Sequence, residues 1–344
     1  MKRISVIGAL WTNNFGDILL AELYTKPLLK DRDIDVIFPN IGKEVAKELG
    51  VKKGDFVNFL KSDCIYFIRG GYLSEPPRNK IKWALSRFKL IFVYGFLARL
   101  LCKKYVILGV GAGPIQTKLS SIIIKIFCNG AKSIVVRDSY SYDTLKRIGV
   151  KQDVLISFDY ALKLKETYVS KESRNKKNIA LHLTSKQPKL NEYLIKYLLT
   201  SNIYEDIWFI EDHPGEFERV KGINPDIVEL IKDKWIPYKG YLSMVDTINS
   251  FKFVLTSKLH VGILASIFEK KICSFPYHEK VKQFYKEIGY SEHCFNGIMN
   301  DKNIIEHFES CFKANNISID MNIYKKLEII ENEINKIKMK NDKN

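Results

Sequence analysis

Apolar runs of strand length alternate with longer segments of helical periodicity along most of the chain. This alternation is typical of parallel α/β architecture, in which helices connect neighbouring strands. In the first half it predicts strands at Ile4–Gly8, Asp35–Phe38, Cys64–Ile68, Tyr105–Val110 and Ser133–Val136, and helices at Ile18–Leu29, Lys80–Leu101, Ser120–Cys128 and Tyr140–Ile148. These elements together predict one doubly wound domain.

A polar, charge-rich stretch from Lys163 to Asn178 interrupts the alternation, which then resumes. The second half predicts strands at Ile179–Leu183, Ile207–Ile210, Phe251–Leu255 and Ile272–Phe275, and helices at Asn191–Leu199, Met244–Asn249, His260–Phe268, Val281–Ile288 and Tyr324–Lys338. Because single cores stop growing near ~250–300 residues, a chain of this length favours two domains. We expect one Rossmann-like domain over residues 1–165, a second over 176–312, and a helical tail over 313–344 that packs across them.

Composition is that of an ordinary globular protein, with 46% hydrophobic residues and 27% charged residues, so a disordered or fibrous chain is excluded. The formal net charge of +16 predicts an acidic partner: nucleic acid, anionic lipid or a phosphorylated substrate. The six cysteines (Cys64, Cys102, Cys128, Cys273, Cys294 and Cys311) are scattered without metal-ligand spacing. They are interpreted as reduced core thiols of a cytoplasmic protein.

The start of the chain runs directly into a predicted strand, without the apolar region of a secretory signal. The longest apolar run is well short of the roughly 20 residues of a membrane-spanning helix. Residues 76–105 nevertheless carry eight Lys or Arg and no acid, and five aromatic side chains are interleaved with them between Trp83 and Phe96. Two interpretations remain open for this segment: a helix at an anionic membrane surface, or a buried domain helix with solvated basic ends.

A cation and an imidazole lie where the apolar strand Phe251–Leu255 turns into a helix. Ser257 is predicted to cap that helix, with Lys258 and His260 beside it. The unpaired N–H groups and the positive dipole end of the helix would add to the attraction of Lys258 for a phosphate or carboxylate. The alternative is a solvated Lys258 and a core His260.

Glycine-rich loops follow the first, third and fourth predicted strands, where open α/β sheets bind ligands. The first loop contains Asn14, Gly16 and Asp17, and the next two contain Gly70-Gly71 and Gly111-Ala112-Gly113. Such loops let backbone N–H groups face a bound group, although each alone is also explained as a tight strand-to-helix turn.

Arg137-Asp138 follows the fifth predicted strand. Asp138 is predicted to cap the next helix, and Arg137 could hold a carboxylate or phosphate through two hydrogen bonds. An Arg137–Asp138 structural turn is the alternative.

The order of these motifs resembles the polysaccharide pyruvyl transferase family. The resemblance rests on Asn14-Phe15-Gly16-Asp17, Arg69-Gly70-Gly71-Tyr72-Leu73, Gly109 to Pro114, Arg137-Asp138, Ser257-Lys258-Leu259-His260 and Tyr277-His278-Glu279-Lys280. It implies two Rossmann-like doubly wound domains facing across a cleft, as in GT-B glycosyltransferases. It also implies phosphoenolpyruvate as donor substrate, no cofactor, and a hydroxyl pair of a cell-surface glycan or its lipid-linked precursor as acceptor.

The resemblance assigns donor binding to Arg137, Lys258 and Leu259 and the acid/base role to His260. A second catalytic candidate is Lys280, which could stabilise the departing phosphate, although an exposed surface lysine is the alternative. Three positions depart from the family pattern: Lys258 replaces an arginine, Arg69 replaces the first of three glycines, and no proline follows Asp159. A lysine binds as a point charge, so Lys258 changes how the donor is oriented. No metal site is predicted.

Two rival functions remain at this point. Glu211-Asp212-His213-Pro214 looks like the His-Pro motif of GT-B sialyltransferases, which would make the donor a nucleotide-sugar bound by His213; His213 in a simple turn is the alternative. The other rival is a non-catalytic basic protein that binds anionic membrane or nucleic acid. We expect no nucleic-acid partner and a cytoplasmic enzyme, peripheral on the inner face of the membrane through residues 76–105.

Overall fold

The computed structural model describes residues 1–338 except 12, 69, 77, 169–176, 183, 202–206 and 224, and says nothing of 339–344. The chain forms two compact units. The first consists of Met1–Asn13, Asp17–Lys163 and Met321–Asn344, and the second of Asn14–Gly16 and Leu164–Asp320. The predicted departure at Arg69 and most of the predicted boundary between 165 and 176 lie outside the described residues.

The first unit is built on a six-stranded parallel sheet of order β2-β1-β3-β4-β5-β6. The strands are β1 Lys2–Ile7, β2 Ile34–Ile37, β3 Cys64–Ile68, β4 Lys104–Val110, β5 Ser133–Val136 and β6 Val154–Ile156. All five residues of β3 are buried, as expected for a central strand covered on both faces. The predicted doubly wound sheet is thus confirmed in this half, with the short edge strand β6 added.

Helices cover the first sheet. They are α1 Phe15–Leu29, α2 Lys43–Leu49, α3 Phe56–Leu60, α4 Lys80–Arg87, α5 Val93–Leu100, α6 Lys118–Asn129 and α7 Ser139–Arg147, followed near the end of the chain by α16 Met321–Lys325 and α17 Glu328–Lys338. Asp138 caps α7 as predicted, since its Oδ1 accepts from the Ser141 N–H at 2.7 Å. The last two helices group with this unit, in which Leu327 and Ile330 are buried.

Two helices predicted as continuous are interrupted. A π-helical segment, Phe88–Phe92, separates α4 from α5, and it turns Ile91 and Phe92 into the core of the first unit. A π-turn inserts a residue into the helical repeat, which the 3.6-residue pattern does not reveal. The predicted helix Tyr324–Lys338 is also wrong in extent, because the structure divides it between two helices, of which the first ends at Lys325 and the second begins at Glu328. Between them, i to i+3 hydrogen bonds such as Leu327 N–H to Tyr324 O replace the α-helical pattern.

The second unit contains a five-stranded parallel sheet of order β11-β10-β7-β8-β9. Its strands are β7 Lys177–His182, β8 Ile207–Ile210, β9 Trp235–Ile236, β10 Phe251–Thr256 and β11 Lys271–Ser274. Its helices are α8 Leu164–Thr167, α9 Pro188–Thr200, α10 Glu216–Ile223, α11 Pro225–Ile231, α12 Tyr241–Asn249, α13 Leu259–Ile267, α14 Glu279–Glu287 and α15 Asp301–Lys313. The first strand of this unit therefore lies at the centre of its sheet.

Five of the six cysteines are buried, and all six are free thiols. The prediction of core thiols is wrong for Cys102, which is exposed just beyond α5 with a left-handed φ of 52°. Among the described residues, no helix is long and apolar enough to cross a membrane.

Candidate active site

The carboxyl ends of four neighbouring strands bring polar side chains together in the second unit. His182 is the last residue of β7, Asp212 follows β8, Lys258 follows β10, and Tyr277 follows β11. Because these strands are adjacent in the sheet, residues almost 100 positions apart in sequence lie at one edge. This is the edge at which open α/β sheets bind ligands.

Asp212 is the centre of this arrangement, with a side chain only 1% exposed. Its carboxylate lies 3.1 Å from Lys258 Nζ, 3.2 Å from His182 Nε2 and 2.6 Å from His213 Nδ1. Asn14 Nδ2 donates to it at 3.5 Å, and the Asp212 carbonyl accepts from the Phe15 N–H at 3.2 Å. Asp212 therefore fixes the positions of side chains from three different strand ends.

The protonation states follow from burial and charge. Burial alone would raise the pKa of Asp212, but His182, His213 and Lys258 together lower that pKa well below its usual range. Burial would lower the pKa of Lys258, and the charge of Asp212 more than offsets it, so the Lys258 pKa is raised. At neutral pH, Asp212 and Lys258 therefore form a largely buried ion pair.

His213 lies in the same network, and both of its ring nitrogens have carboxylate partners. Nδ1 is 2.6 Å from Asp212, and Nε2 is 3.1 Å from Glu216, which also pairs with Arg219 at 3.0 Å. Desolvation acts to lower the pKa of His213, yet the two acidic partners raise it to about 9. Arg219 Nη1 also lies 2.6 Å from Nε2, so both ring nitrogens of His213 contact side chains of this unit.

The helix α13 begins at Leu259, one residue before the predicted start at His260, but its cap lies one residue later than predicted. The N-cap is Lys258 rather than Ser257, and no side chain caps the helix. The Lys258 N–H donates to Thr256 Oγ1 at 3.0 Å, while Ser257 is buried at the strand end. The N-terminus of a nine-residue helix thus lies directly beside the Lys258 ammonium, a combination that attracts anions.

His260 occupies the first turn of α13, next to the buried Leu259. Its ring packs against the segment Asn14–Gly16, with the Phe15 ring edge-on at 6.3 Å. A Cβ on Gly16 would lie 2.0 Å from His260 Nδ1, so only glycine permits this close approach. Gly16 therefore leaves the space that the His260 imidazole occupies.

Further cations surround the opening of this cluster. Lys186 Nζ lies over the Tyr277 ring at 5.0 Å, and the Tyr277 and His278 rings are 4.4 Å apart. Although His278 is exposed, desolvation and the positive charges of Lys280, Lys186 and Lys258 lower its pKa to about 4. Desolvation and Lys258 likewise lower the pKa of Lys186.

The cluster as a whole carries a surplus of positive charge. Its cations are Lys186, His213, Arg219, Lys258 and Lys280, and its carboxylates are Glu211, Asp212 and Glu216. Glu211 is turned inward, where it accepts backbone N–H groups from Glu216, Phe217 and Tyr238. An anionic ligand would relieve the mutual repulsion of the lysines, so the site is suited to one.

Several members of this site were missed by sequence reasoning. His182 and Lys186 were not singled out, and Asp212 and Tyr277 were quoted only as parts of the Glu211–Pro214 and Tyr277–Lys280 segments. A usable signal existed, because each lies at or just after a predicted strand end. What the sequence lacks is the strand order that makes those ends neighbours.

In the first unit, Arg137 follows β5 and is 8% exposed. Its Nε lies 3.4 Å from Asp138 and its Nη1 lies 3.4 Å from Asp159. Gly111 packs flat beneath the guanidinium, since a Cβ there would lie 2.6 Å from Nη2. The predicted Arg137–Asp138 contact exists, and Asp159 adds a second carboxylate.

The glycine loops after β3 and β4 bond to each other. The Gly111 N–H donates to Gly70 O at 3.2 Å, and the Gly113 N–H donates to Leu73 O at 2.9 Å. Gly70 and Gly113 both have φ of +96°, a conformation that favours glycine. A Cβ on Gly71 would make an ordinary contact with Ser74 Oγ at 3.9 Å, and Asp17 lies in the first turn of α1. The amides of Gly111 and Gly113 are thus committed within the first unit.

A depression of ≈ 470 Å³ lies at the opposite, amino-terminal edge of the first sheet. Its lining includes Lys2, Lys104, Lys132 and Asp153. None of the predicted site residues lines it, and it faces away from the edge at which such sheets bind ligands. We therefore place the candidate site at the strand ends described above.

The sequence profile of the polysaccharide pyruvyl transferase family matches residues 14–279. No curated protein matches the chain significantly. Among solved structures, UDP-N-acetylglucosamine 2-epimerase from Rickettsia bellii is similar with a TM-score of 0.64 and 13% identity, covering 99% of this chain and 97% of that chain.

Two further enzymes share the fold. UDP-GlcNAc 2-epimerase from Methanocaldococcus jannaschii has a TM-score of 0.61 and 14% identity over 96% of this chain and 100% of that chain. The enzyme from Neisseria meningitidis, bound to UDP-GlcNAc, has a TM-score of 0.57 and 15% identity over 98% and 100%. The predicted GT-B-like class, with two parallel-sheet α/β units, is confirmed.

Proposed function

The chain belongs to the polysaccharide pyruvyl transferase family, and we propose that it moves the enolpyruvyl group of phosphoenolpyruvate onto a hydroxyl pair of a glycan or its lipid-linked precursor. The family supports the transferase class and the polysaccharide acceptor. The observation that carries the choice of donor is the surplus of cations around Lys258 at the start of α13, beside His260.

Phosphoenolpyruvate has a phosphate and a carboxylate on a three-carbon skeleton, so its recognition requires concentrated positive charge. In the proposed complex, Lys258 and the α13 N-terminus bind one anionic group, and Lys186 and Lys280 bind the other. Asp212 holds Lys258 in place without neutralising the whole cluster. We assign Arg137 to donor binding from the family resemblance alone.

His260 is the proposed acid and base. Its imidazolium gives a proton to the methylene carbon, which becomes a methyl group and leaves the central carbon electrophilic. The first acceptor hydroxyl adds there and returns its proton to His260. The C–O bond to phosphate then breaks, the second hydroxyl closes the ketal, and its proton leaves with the phosphate. The reaction as written needs no metal or organic cofactor.

A nucleotide-sugar donor bound by His213 is the rival. The engagement of both His213 ring nitrogens by Asp212 and Glu216 argues against it, because neither nitrogen is directed to a ligand. His213 is better explained as part of the support for Asp212.

The test is acceptor-dependent phosphate release from phosphoenolpyruvate, with CMP- and UDP-sugars as competing donors and a panel of saccharide acceptors. We expect turnover with phosphoenolpyruvate alone among the donors, and a CH₂D group in the ketal when the reaction runs in D₂O. His260→Ala should lower kcat by roughly 10²–10⁴-fold. The matched control is Lys252→Ala, an exposed residue of β10, which should retain activity.

Two results would contradict the proposal. Turnover only with a nucleotide-sugar would make the enzyme a glycosyltransferase and move attention to His213. Full activity of His260→Ala with phosphoenolpyruvate would keep the reaction but remove the acid/base assignment.

We further propose that residues 76–105 contact anionic lipid through their exposed side. Most aromatic side chains of this segment pack on the core of the first unit, including Phe92, Trp83 and Tyr94. Its exposed apolar positions include Ile81 and Leu85, 62% and 54% exposed, which lie on α4 with the exposed Lys82, and Leu100 and Leu101 at the end of α5. Aliphatic side chains flanked by lysine suit the boundary of an anionic membrane.

Liposome flotation tests this contact. We expect binding to vesicles with anionic lipid that salt weakens, and that the double variant Ile81→Ser/Leu85→Ser reduces at least about fivefold. Leu242→Ser, an equally exposed leucine of the second unit, is the control. Equal flotation with neutral and anionic vesicles would remove the proposal.

A further inference from the structure

A group of sulfur and nitrogen ligands lies in the second unit, where α15 packs against β11. Cys273 belongs to β11, and His307 and Cys311 belong to α15. One ligand atom from each lies within 4.8 Å of the other two. Cys311 Sγ and His307 Nε2 are 3.6 Å apart.

These separations are close to those of a metal centre. Zinc bonds of ~2.3 Å to sulfur and ~2.0 Å to nitrogen place tetrahedral ligands roughly 3.3–3.8 Å apart. The 3.6 Å between Cys311 and His307 falls in that range. The i,i+4 spacing of His307 and Cys311 puts both on one face of α15, opposite Cys273.

His293 is a candidate fourth ligand that lies just outside this group. It is 2% exposed, and its Nδ1 donates to the Ile272 carbonyl at 2.9 Å. Metal-bound histidines commonly donate their second ring nitrogen to a backbone carbonyl in this way, which fixes the tautomer and the ring direction. With Nδ1 donating to the carbonyl, Nε2 is the nitrogen available to a metal ion.

The surroundings are those of a structural site. Phe275 and Phe295 pack edge-on against the His307 ring at 5.3 Å and 5.4 Å. Cys273 and Cys311 are 0% and 2% exposed. Two buried thiols and two imidazoles enclosed by aromatic rings match the Cys₂His₂ ligand set of closed zinc sites.

We propose that Cys273, His307 and Cys311 bind one Zn²⁺ ion that joins α15 to β11, and that His293 turns toward this ion as the fourth ligand. This departs from the sequence-based expectation of reduced core thiols without metal-ligand spacing. The ion would have no contact with phosphoenolpyruvate, so the proposal does not depend on the function proposed above.

The experiment uses the full chain, purified under reducing conditions without a metal-affinity tag, and measures zinc by mass spectrometry and X-ray absorption. We expect about one zinc per chain with a mixed sulfur and nitrogen ligand shell. Cys311→Ser and His307→Gln should lower the zinc content at least about tenfold. Cys128→Ser is the control, because that buried thiol lies in the first unit and should leave zinc unchanged.

Titration of the metal-free wild-type protein with Co²⁺ tests the site without any variant, and therefore applies even if a variant fails to fold. Tetrahedral cobalt bands and thiolate charge transfer would support the site. Absence of both zinc and a cobalt spectrum would overturn it. A Cys273–Cys311 disulfide in the non-reduced peptide map of protein prepared without reductant would also overturn it.

Discussion

Lys258 in the second unit and Arg137 in the first are both largely buried cations at the carboxyl ends of parallel strands. Lys258 shares one inner carboxylate, Asp212, with two histidines, and more lysines lie outside it. Arg137 lies between two carboxylates, Asp138 and Asp159, at 3.4 Å each. The same position in a sheet thus gives a positively charged site in one unit and a neutralised cation in the other.

The largest contrast is expected from removing the carboxylates. Asp212→Asn leaves Lys258 and His213 without their shared counter-charge in a buried place, and should lower the free energy of unfolding by about 3–5 kcal/mol. Asp159→Asn should cost less, about 1–2 kcal/mol, because Asp138 still pairs with Arg137. Urea unfolding measures both.

The exposed Asp233→Asn is the control and should stay within about 0.5 kcal/mol of wild type. Equal losses for Asp212→Asn and Asp159→Asn would mean that the two cations sit in equivalent surroundings, and the comparison would fail.

The next largest expected effect is a pH dependence of the free energy of unfolding that arises from His213 in the second unit. The His213 pKa is raised from 6.5 to about 9, so its contribution to stability is fully present below pH 6.5 and is lost as pH rises to about 9. We expect a loss of roughly 3 kcal/mol over that window. His213→Gln should flatten the curve of unfolding free energy against pH, and an unchanged slope would show that another group titrates there.

The smallest effect concerns the choice of cation. Lys258→Ala should raise the KM for phosphoenolpyruvate at least about tenfold, equivalent to about 1.4 kcal/mol. Lys258→Arg should keep the KM within about threefold of wild type, since the charge remains and the fork adds a second donor. A KM for Lys258→Ala equal to that of the Lys252→Ala control would remove Lys258 from donor binding.

The central strands could be predicted from the sequence, because buried parallel strands such as Cys64–Ile68 are unbroken apolar runs, whereas the short edge strands β6 and β9 could not. The N-cap of α13 could not be predicted, because the sequence does not show whether the helix begins directly after Ser257 or after Lys258. Nor could the partners of Asp212, because His182 and Lys258 become neighbours only when β7 lies between β8 and β10. The Cys273 and His307 cluster was hidden for the same reason, with its ligands on elements distant in sequence.

The helix α17 completes the first unit, although it follows the whole second unit in the chain. Tyr66 of β3 donates to the Ile334 carbonyl, and Ile330 is fully buried. During synthesis on the ribosome, part of the apolar surface of the first sheet therefore remains exposed to solvent until the residues after 320 have emerged. A chain truncated within the second unit would have an incomplete core in both units. Such a product should be recognised by chaperones and proteases.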